Sequence, residues 1–273
     1  MKEALLFYET FAIEDEKGNL ILSPSNSPEF GGACEGDKMG IQLMHELASN
    51  CIAASKVLDV DADLRIRWGK MLTKLLPLEI GCHGQLQEWS EDRDDPNNHH
   101  RHTSHLYAAY PYNLVSPLDN PEYANAVNVT LKHRGDNEGG VCWAYVHRSS
   151  IYSRLLDKKY AYQHLNNLSR NRTVNFFTSA HRNIENDGVF GYTSALGEML
   201  LQSHRGELHL LPCLPDAWPS GNTKGLTARG GFVVGMTWQD MKLKKAPVHS
   251  AKGGECTIRL SQPLLHLATQ IPT

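Results

Sequence analysis

The sequence predicts a mainly α-helical chain that closes with a small β region. Two observations carry this expectation. Apolar residues recur at helical spacing up to about residue 205, and beyond it the period drops to two, with Gly and Pro between the apolar runs. Helices first and strands afterwards argue for two layers of different class and against a βαβ repeat. The expected domains are therefore 1–205, helical, and 206–273, β.

Each element has its own warrant. Met1–Phe11 fits a helix. Met44, Leu47, Ala48, Cys51, Ile52, Ser55 and Leu58 trace one face of a second. Leu64, Trp68, Met71, Leu72, Leu75 and Leu76 trace a third, with Asp61 or Asp63 placed to cap it and Pro77 to end it. Further helices fit Tyr123–Lys132, Trp143–Leu156, Tyr160–Leu168 and Thr193–Ser203. In the last third, Phe232, Val234, Met236 and Trp238 alternate with smaller or polar neighbours, and Glu207–Leu211 and Cys256–Leu260 also read as strands. Two long stretches, 78–104 and 171–192, lack periodicity. They carry Trp, Phe, His and Leu among their charges, which favours functional loops over disorder.

Composition narrows the function. Of the 273 residues 41% are apolar and 21% charged, enough for a sizeable core. Lys plus Arg total 27 against 30 Asp plus Glu, a formal charge of -3, so no basic surplus exists for nucleic acid. No apolar run approaches the roughly 18 residues of a membrane span. The opening residues lack the apolar core of a secretory signal. The six Cys contain no C-x-x-C and read as reduced, mostly buried thiols; the compartment stays open. GxSxG, P-loop and helix-opening GxGxxG motifs are absent from the sequence, and no cofactor is expected.

Three groups of residues can carry chemistry. Glu88 sits between Leu86 and Trp89, where desolvation would raise its pKa and suit it to proton donation; Trp89 offers a flat face for a sugar ring. The plainer reading is a surface Glu beside a core Trp. His99, His100, His102 and His105 lie within seven residues. They suggest zinc, a polar pocket wall in which Arg101 and His102 bond hydroxyls, or a solvated loop. The Arg in the run and the lack of a partner motif weigh against zinc, and no metal is expected. His181 to Gly188 contains Asp187, which is either a turn residue before Gly188 or a second carboxyl to pair with Glu88. Two carboxyls brought from separate loops into one cleft are the minimum equipment for glycoside hydrolysis.

Several stretches together resemble glycoside hydrolase family 95, the inverting α-L-fucosidases and their α-L-galactosidase relatives. Ser23–Glu29 resembles that family's SPS-x-SPE loop, Gly84–Trp89 its GQLQEW, and Arg101–Leu106 its RH-x-SHL. Asp187–Gly191 is similar to DGNFG, and Glu198–His204, Leu210–Pro219 and Ala228–Phe232 extend the likeness to about residue 245. The resemblance implies the C-terminal part of an (α/α)6 barrel followed by a small β-sandwich-like domain. It also implies exo-hydrolysis of terminal α-L-fucosyl or α-L-galactosyl residues from an oligosaccharide or glycoconjugate. Glu88 then aligns with the general acid and Asp187 with the carboxylate that helps activate water. Glu29, Arg101, His102 and His181 fall where family members contact the sugar. Inversion implies carboxyls roughly 6.5–9.5 Å apart.

The sequence departs from the family in specific places. Asp37-Lys38-Met39-Gly40 replaces a PTMD-like segment, Trp143–Arg148 a WSRAWK-like run, and Val189 an Asn. About eight helices are too few for twelve, so the resemblance implies a chain lacking the N-terminal half of its parent enzyme. A non-catalytic remnant with weak glycan binding is the alternative.

Overall fold

A computed structural model of the chain describes residues 1–135, 141–171 and 185–261. It divides into two compact units, Met1–Gly139 and Gly140–Thr273. Among the described residues it is mainly helical, with seven α-helices and several small sheets. None of these helices is long and apolar enough to cross a membrane.

The first unit opens with α1 (Lys2–Phe11), whose Leu5 is fully buried. Two short antiparallel pairs follow: β1 (Ala12–Glu14) with β2 (Leu20–Leu22), and β3 (Ser25–Ser27) with β4 (Phe30–Cys34). Their pairing is set by turn chemistry in a stretch rich in Ser, Pro and Gly, too short to show a period, and they went unread in the sequence. Helix α2 (Lys38–Leu58) starts before the expected apolar face because the Asp37 side chain accepts from the Gly40 amide at 2.7 Å, an N-cap bond. Helix α3 (Ala62–Lys74) follows Asp61, which stands at the cap position with its carboxylate paired to Lys2 at 2.5 Å instead of the helix amides. Ile41, Met44, Ala48 and Cys51 of α2 meet Trp68 and Met71 of α3, with Leu5, Ile21 and Leu22 closing the core. A 3₁₀ turn (Ser104–Ala108) and α4 (Pro121–Arg134) complete the unit, with Pro121 at the first helical position. The long stretch 78–104 has little regular structure but is tightly braced: Asp92 alone accepts from the Cys82 amide at 2.6 Å and Gln85 Nε2 at 3.0 Å.

In the second unit α5 (Cys142–Arg154) is buried along most of its length and packs against α6 (Lys158–Asn171) and α7 (Asn186–Leu200). Helix α7 corrects the expected start at Thr193. The Asp187–Gly191 stretch is its first turn, because Gly188 and Gly191 let it approach α5 closely. A Cβ on Gly188 would meet Cys142 Sγ at 2.0 Å, and one on Gly191 would meet Val146 Cγ2 at 2.4 Å. The helix ends at Leu200 and the chain continues as β5 (Leu201–Gln202), which pairs with β6 (Leu208–Leu210). Strand β7 (Gly221–Ala228) lies along one side of β8 (Phe232–Gln239). On its other side β8 pairs with β9 (Lys242–Lys245) and β10 (Val248–Ser250). β11 (Ile258–Arg259) runs parallel to β6. The period-two expectation holds for β8: Val234, Met236 and Trp238 are buried with Leu208, Leu210, Leu211 and Leu214, while Val233, Thr237 and Gln239 face out. Asp240 and Met241, both at positive φ, make the two-residue turn into β9 that such a twisted hairpin requires.

All six thiols are free. Cys82 and Cys256 are exposed, a departure from the mostly buried set expected.

Candidate active site

Glu88 lies in an extended segment fixed by its own backbone. Leu86 N–H donates to Thr130 Oγ1 of α4 at 3.1 Å, and Gln87 N–H to the Glu79 carbonyl at 3.0 Å. The Glu88 carbonyl accepts from the Lys38 amide at 3.1 Å, and its amide donates to Asp94 Oδ2 at 3.3 Å. These bonds turn the side chain inward, and it is fully buried.

Three elements converge on that carboxyl. Ser27, at the end of β3, donates from Oγ to Oε1 at 2.6 Å. Arg134, the last residue of α4, donates from Nη2 to Oε2. His105, in the 3₁₀ turn, brings Nδ1 to 3.5 Å from the same oxygen. All three neighbours are themselves buried. Burial, the largest single influence, pushes the Glu88 carboxyl up; His105, Arg134 and Ser27 together outweigh it and hold the group at about 2. The sequence expectation of a raised pKa is thereby corrected: the desolvation is present, and the cations beside it reverse its sign.

The hairpin that delivers Ser27 also delivers Glu29, which follows Pro28 in the turn between β3 and β4. Glu29 Oε2 accepts from Arg101 Nη2 at 2.8 Å and lies 3.2 Å from His102 Nε2. Three residues expected on one sugar are thus in mutual contact, and Glu29 and Arg101 are open to solvent. Ser104 Oγ ties the 3₁₀ turn to the hairpin through the Pro28 carbonyl. Burial, more than the charge of Arg101, pushes His102 below its ordinary value, with Glu29 pulling the other way.

Among the described residues the His run forms no cage. His100 and His102 stack at 5.1 Å between centroids, His100 packs on Phe30 at 4.9 Å, and His99 Nδ1 bonds the His133 carbonyl at 2.8 Å. Glu88, Asp94 and His105 do bring ligand atoms within 4.8 Å of one another. The Arg134 guanidinium already supplies the positive charge there and would repel a metal cation, so the zinc reading gains no site from them.

Trp89 is placed differently from the expectation. Only 4% of it is exposed; Phe30 packs 5.9 Å away and the Arg93 guanidinium covers the ring at 4.6 Å. A Cβ on Gly31 would strike its Cζ2 at 2.6 Å. The indole is a wedge beneath the hairpin, and the open face the sequence offers to a sugar is covered.

Asp187 is exposed in the first turn of α7, where the helix dipole favours a carboxylate. Beside it Glu185 Oε2 accepts from the Cys142 amide at 3.2 Å and from Cys142 Sγ at 2.7 Å. His181 lies outside the described residues. Ser27, Arg134, His105 and Asp94 were absent from the expected site. Of these His105 had left a trace in the sequence as the last member of the His run, and Ser27 as an unremarked member of the Ser23–Glu29 loop.

A helical region that presents a buried carboxylate beside a Glu–Arg–His cluster, continued by small sheets, is an arrangement that family comparison resolves. The description "Glycosyl hydrolase family 95 catalytic domain" matches residues 1–200, and "Glycoside hydrolase family 95, C-terminal domain" matches 202–271. The chain belongs to glycoside hydrolase family 95. It is 34% identical over 262 residues to alpha-L-fucosidase 2 of Arabidopsis thaliana, a match covering 87% of this chain and 30% of that protein. Probable alpha-fucosidase A of Aspergillus niger is 32% identical, with 88% of this chain and 34% of the relative covered. The Aspergillus oryzae protein of the same name is 30% identical, with 89% and 37% covered. The chain spans about a third of the length of these relatives.

Proposed function

We propose that this chain carries the acid-bearing part of an inverting exo-glycosidase that removes terminal α-L-fucosyl or α-L-galactosyl residues from glycans. On this reading Glu88 protonates the leaving oxygen and Asp187 helps activate the attacking water. Glu29, Arg101, His102 and His181 bond the sugar hydroxyls, and Trp89 supports their hairpin from below. Residues 1–205 would form the C-terminal part of an (α/α)6 barrel and 206–273 a β-sandwich-like domain. The observation that carries the reading is the fully buried Glu88 carboxyl, held by side chains from three elements and joined through one hairpin to the Glu29–Arg101–His102 cluster.

The test is turnover of an aryl α-L-fucoside by the full-length protein, with the anomer of released sugar followed by NMR. Glu88→Gln is expected to lose about 10²–10⁴-fold in kcat, and the wild type to release the inverted anomer. Undiminished turnover in Glu88→Gln rejects it as the acid, and a retained anomer rejects inversion. A second reading, glycan binding without turnover, draws on the third of the relatives' length that the chain spans. Calorimetric binding of fucose by the 273-residue chain, with no hydrolysis by the full-length protein, would favour it.

A further inference from the structure

We propose that His105 is a positioning residue that stores the proton Glu88 delivers, so that the acid is a carboxylate–imidazole pair. This rests on the reading of Glu88 as proton donor.

Geometry motivates it first. The 3₁₀ turn is clamped to α2 by Gln42, whose Nε2 donates to the His105 carbonyl at 2.8 Å and whose Oε1 accepts from the Ala108 amide at 2.7 Å. That clamp aims a fully buried imidazole at Glu88, with Nδ1 3.5 Å from Oε2. Among the described residues neither ring nitrogen makes a well-formed hydrogen bond, and the 3.5 Å approach of Nδ1 to Glu88 Oε2 is at the limit of one. Buried polar atoms are seldom left so, because an unmade bond costs about 1–3 kcal/mol. A purely structural histidine here would turn a nitrogen onto a carbonyl; this one stands a few tenths of an ångström short of a bond to the carboxylate.

Charge points the same way. Glu88 and Asp94 face His105 as two carboxyls, and Arg134 supplies one cation through its bond to Glu88. At the start of α2, Lys38 is paired with Glu79 at 2.7 Å, while Asp37 adds negative charge. His100 and His102 lie farther out on the loop and also feel Glu88. Glu88 and the half-buried Asp94 thus set two carboxyls against the one guanidinium beside the ring. A carboxylate that protonates a leaving oxygen has first to receive a proton, and the imidazole 3.5 Å from Oε2 is within reach to supply it.

The step balances. The Nδ1–H bond of His105 breaks as an O–H bond forms on Glu88 Oε2. That O–H then breaks as the glycosidic oxygen takes the proton and its bond to the anomeric carbon cleaves. His105 is left neutral and Glu88 ionised, and the proton that the attacking water gives up returns through solvent to the pair.

The test is the pH profile of kcat for His105→Asn in the full-length protein, beside Glu88→Gln. Asn keeps a donor near the Nδ1 position and has no proton to store. Expected are a loss of about tenfold or more in kcat at neutral pH, little change in KM, and an alkaline limb moved to lower pH. Activity would then recover on acidification. A loss equal at every pH, or an unchanged profile, overturns the proposal. Should His105→Asn fail to fold, ¹⁵N NMR of the imidazole in Glu88→Gln decides. The Nδ1 resonance should move once the carboxylate is gone, and an unmoved resonance overturns the pairing. If Glu88→Gln itself turns over normally, the proton-donor reading fails; if Glu88→Gln is inactive and His105→Asn behaves as wild type, only this inference does.

Discussion

Arg134→Met tests the ionic heart of the site without any substrate. In the wild type the Glu88 carboxyl is drawn from 4.5 to about 2 while fully buried. That shift is worth about 3 kcal/mol of stability at neutral pH. Because the folded value lies below the unfolded one, the contribution is complete above about pH 5 and is lost as pH falls through 2. Removing the guanidinium leaves a buried carboxylate with Ser27 and His105 alone, which should cost about 3–5 kcal/mol at pH 7. The same change raises the Glu88 value, so the variant should lose less stability on acidification than the wild type does. Urea unfolding at pH 7 and pH 4 reads both effects through the fluorescence of Trp68 and Trp89, buried in the same unit. Adding Glu88→Gln to Arg134→Met removes the stranded charge and should recover most of the loss. A penalty under about 1 kcal/mol at pH 7, or a double variant no better than the single, would refute the reasoning.

Two further outcomes are independent of that pair. Gly31→Ala adds a Cβ at 2.6 Å from Trp89 Cζ2, at a residue with φ of 88°, and should destabilise the chain by about 1–3 kcal/mol. An unchanged thermal midpoint would mean that the hairpin does not rest on the indole. Cys142 is pushed up to about 12 by burial and then by Glu185, and Cys213 to about 12 by burial and then by Asp157. Neither should react with iodoacetamide at pH 8 until denaturant is added. Peptide mass mapping that finds either alkylated in the native chain would contradict the packing around them.

The fold was legible wherever burial is periodic. Val234, Met236 and Trp238 announced a strand because one face of β8 is packed and the other is wet. The α2 and α3 faces showed nearly as well because they meet each other in one core, although Leu58, expected on the α2 face, is exposed at the helix end. The start of α7 was hidden by the glycines that serve it: Gly188 and Gly191 read as loop residues, yet they let two helices touch where any side chain would collide. Propensity counts the entropy a helical glycine costs and is blind to the neighbour that demands it. Strands β1 to β4 were hidden for another reason. They run three to five residues and take their register from turns and single side-chain bonds.

At the site, sequence placed Glu88 among apolar neighbours and its burial followed, but the sign of its ionisation did not. That sign is set by Arg134, 46 positions away, and Ser27, 61 positions away. Neither stands out locally: Arg134 is one of three basic residues closing a helix, and Ser27 is one of several serines in a Pro-rich stretch. Desolvation can be inferred from adjacent residues, whereas counter-charge arrives from wherever the chain returns. A buried acid read from its immediate neighbours therefore errs toward protonation. The Glu29–Arg101–His102 contact makes the same point across 72 positions: the sequence offered these residues for a sugar, and their pairing with one another was not read from it.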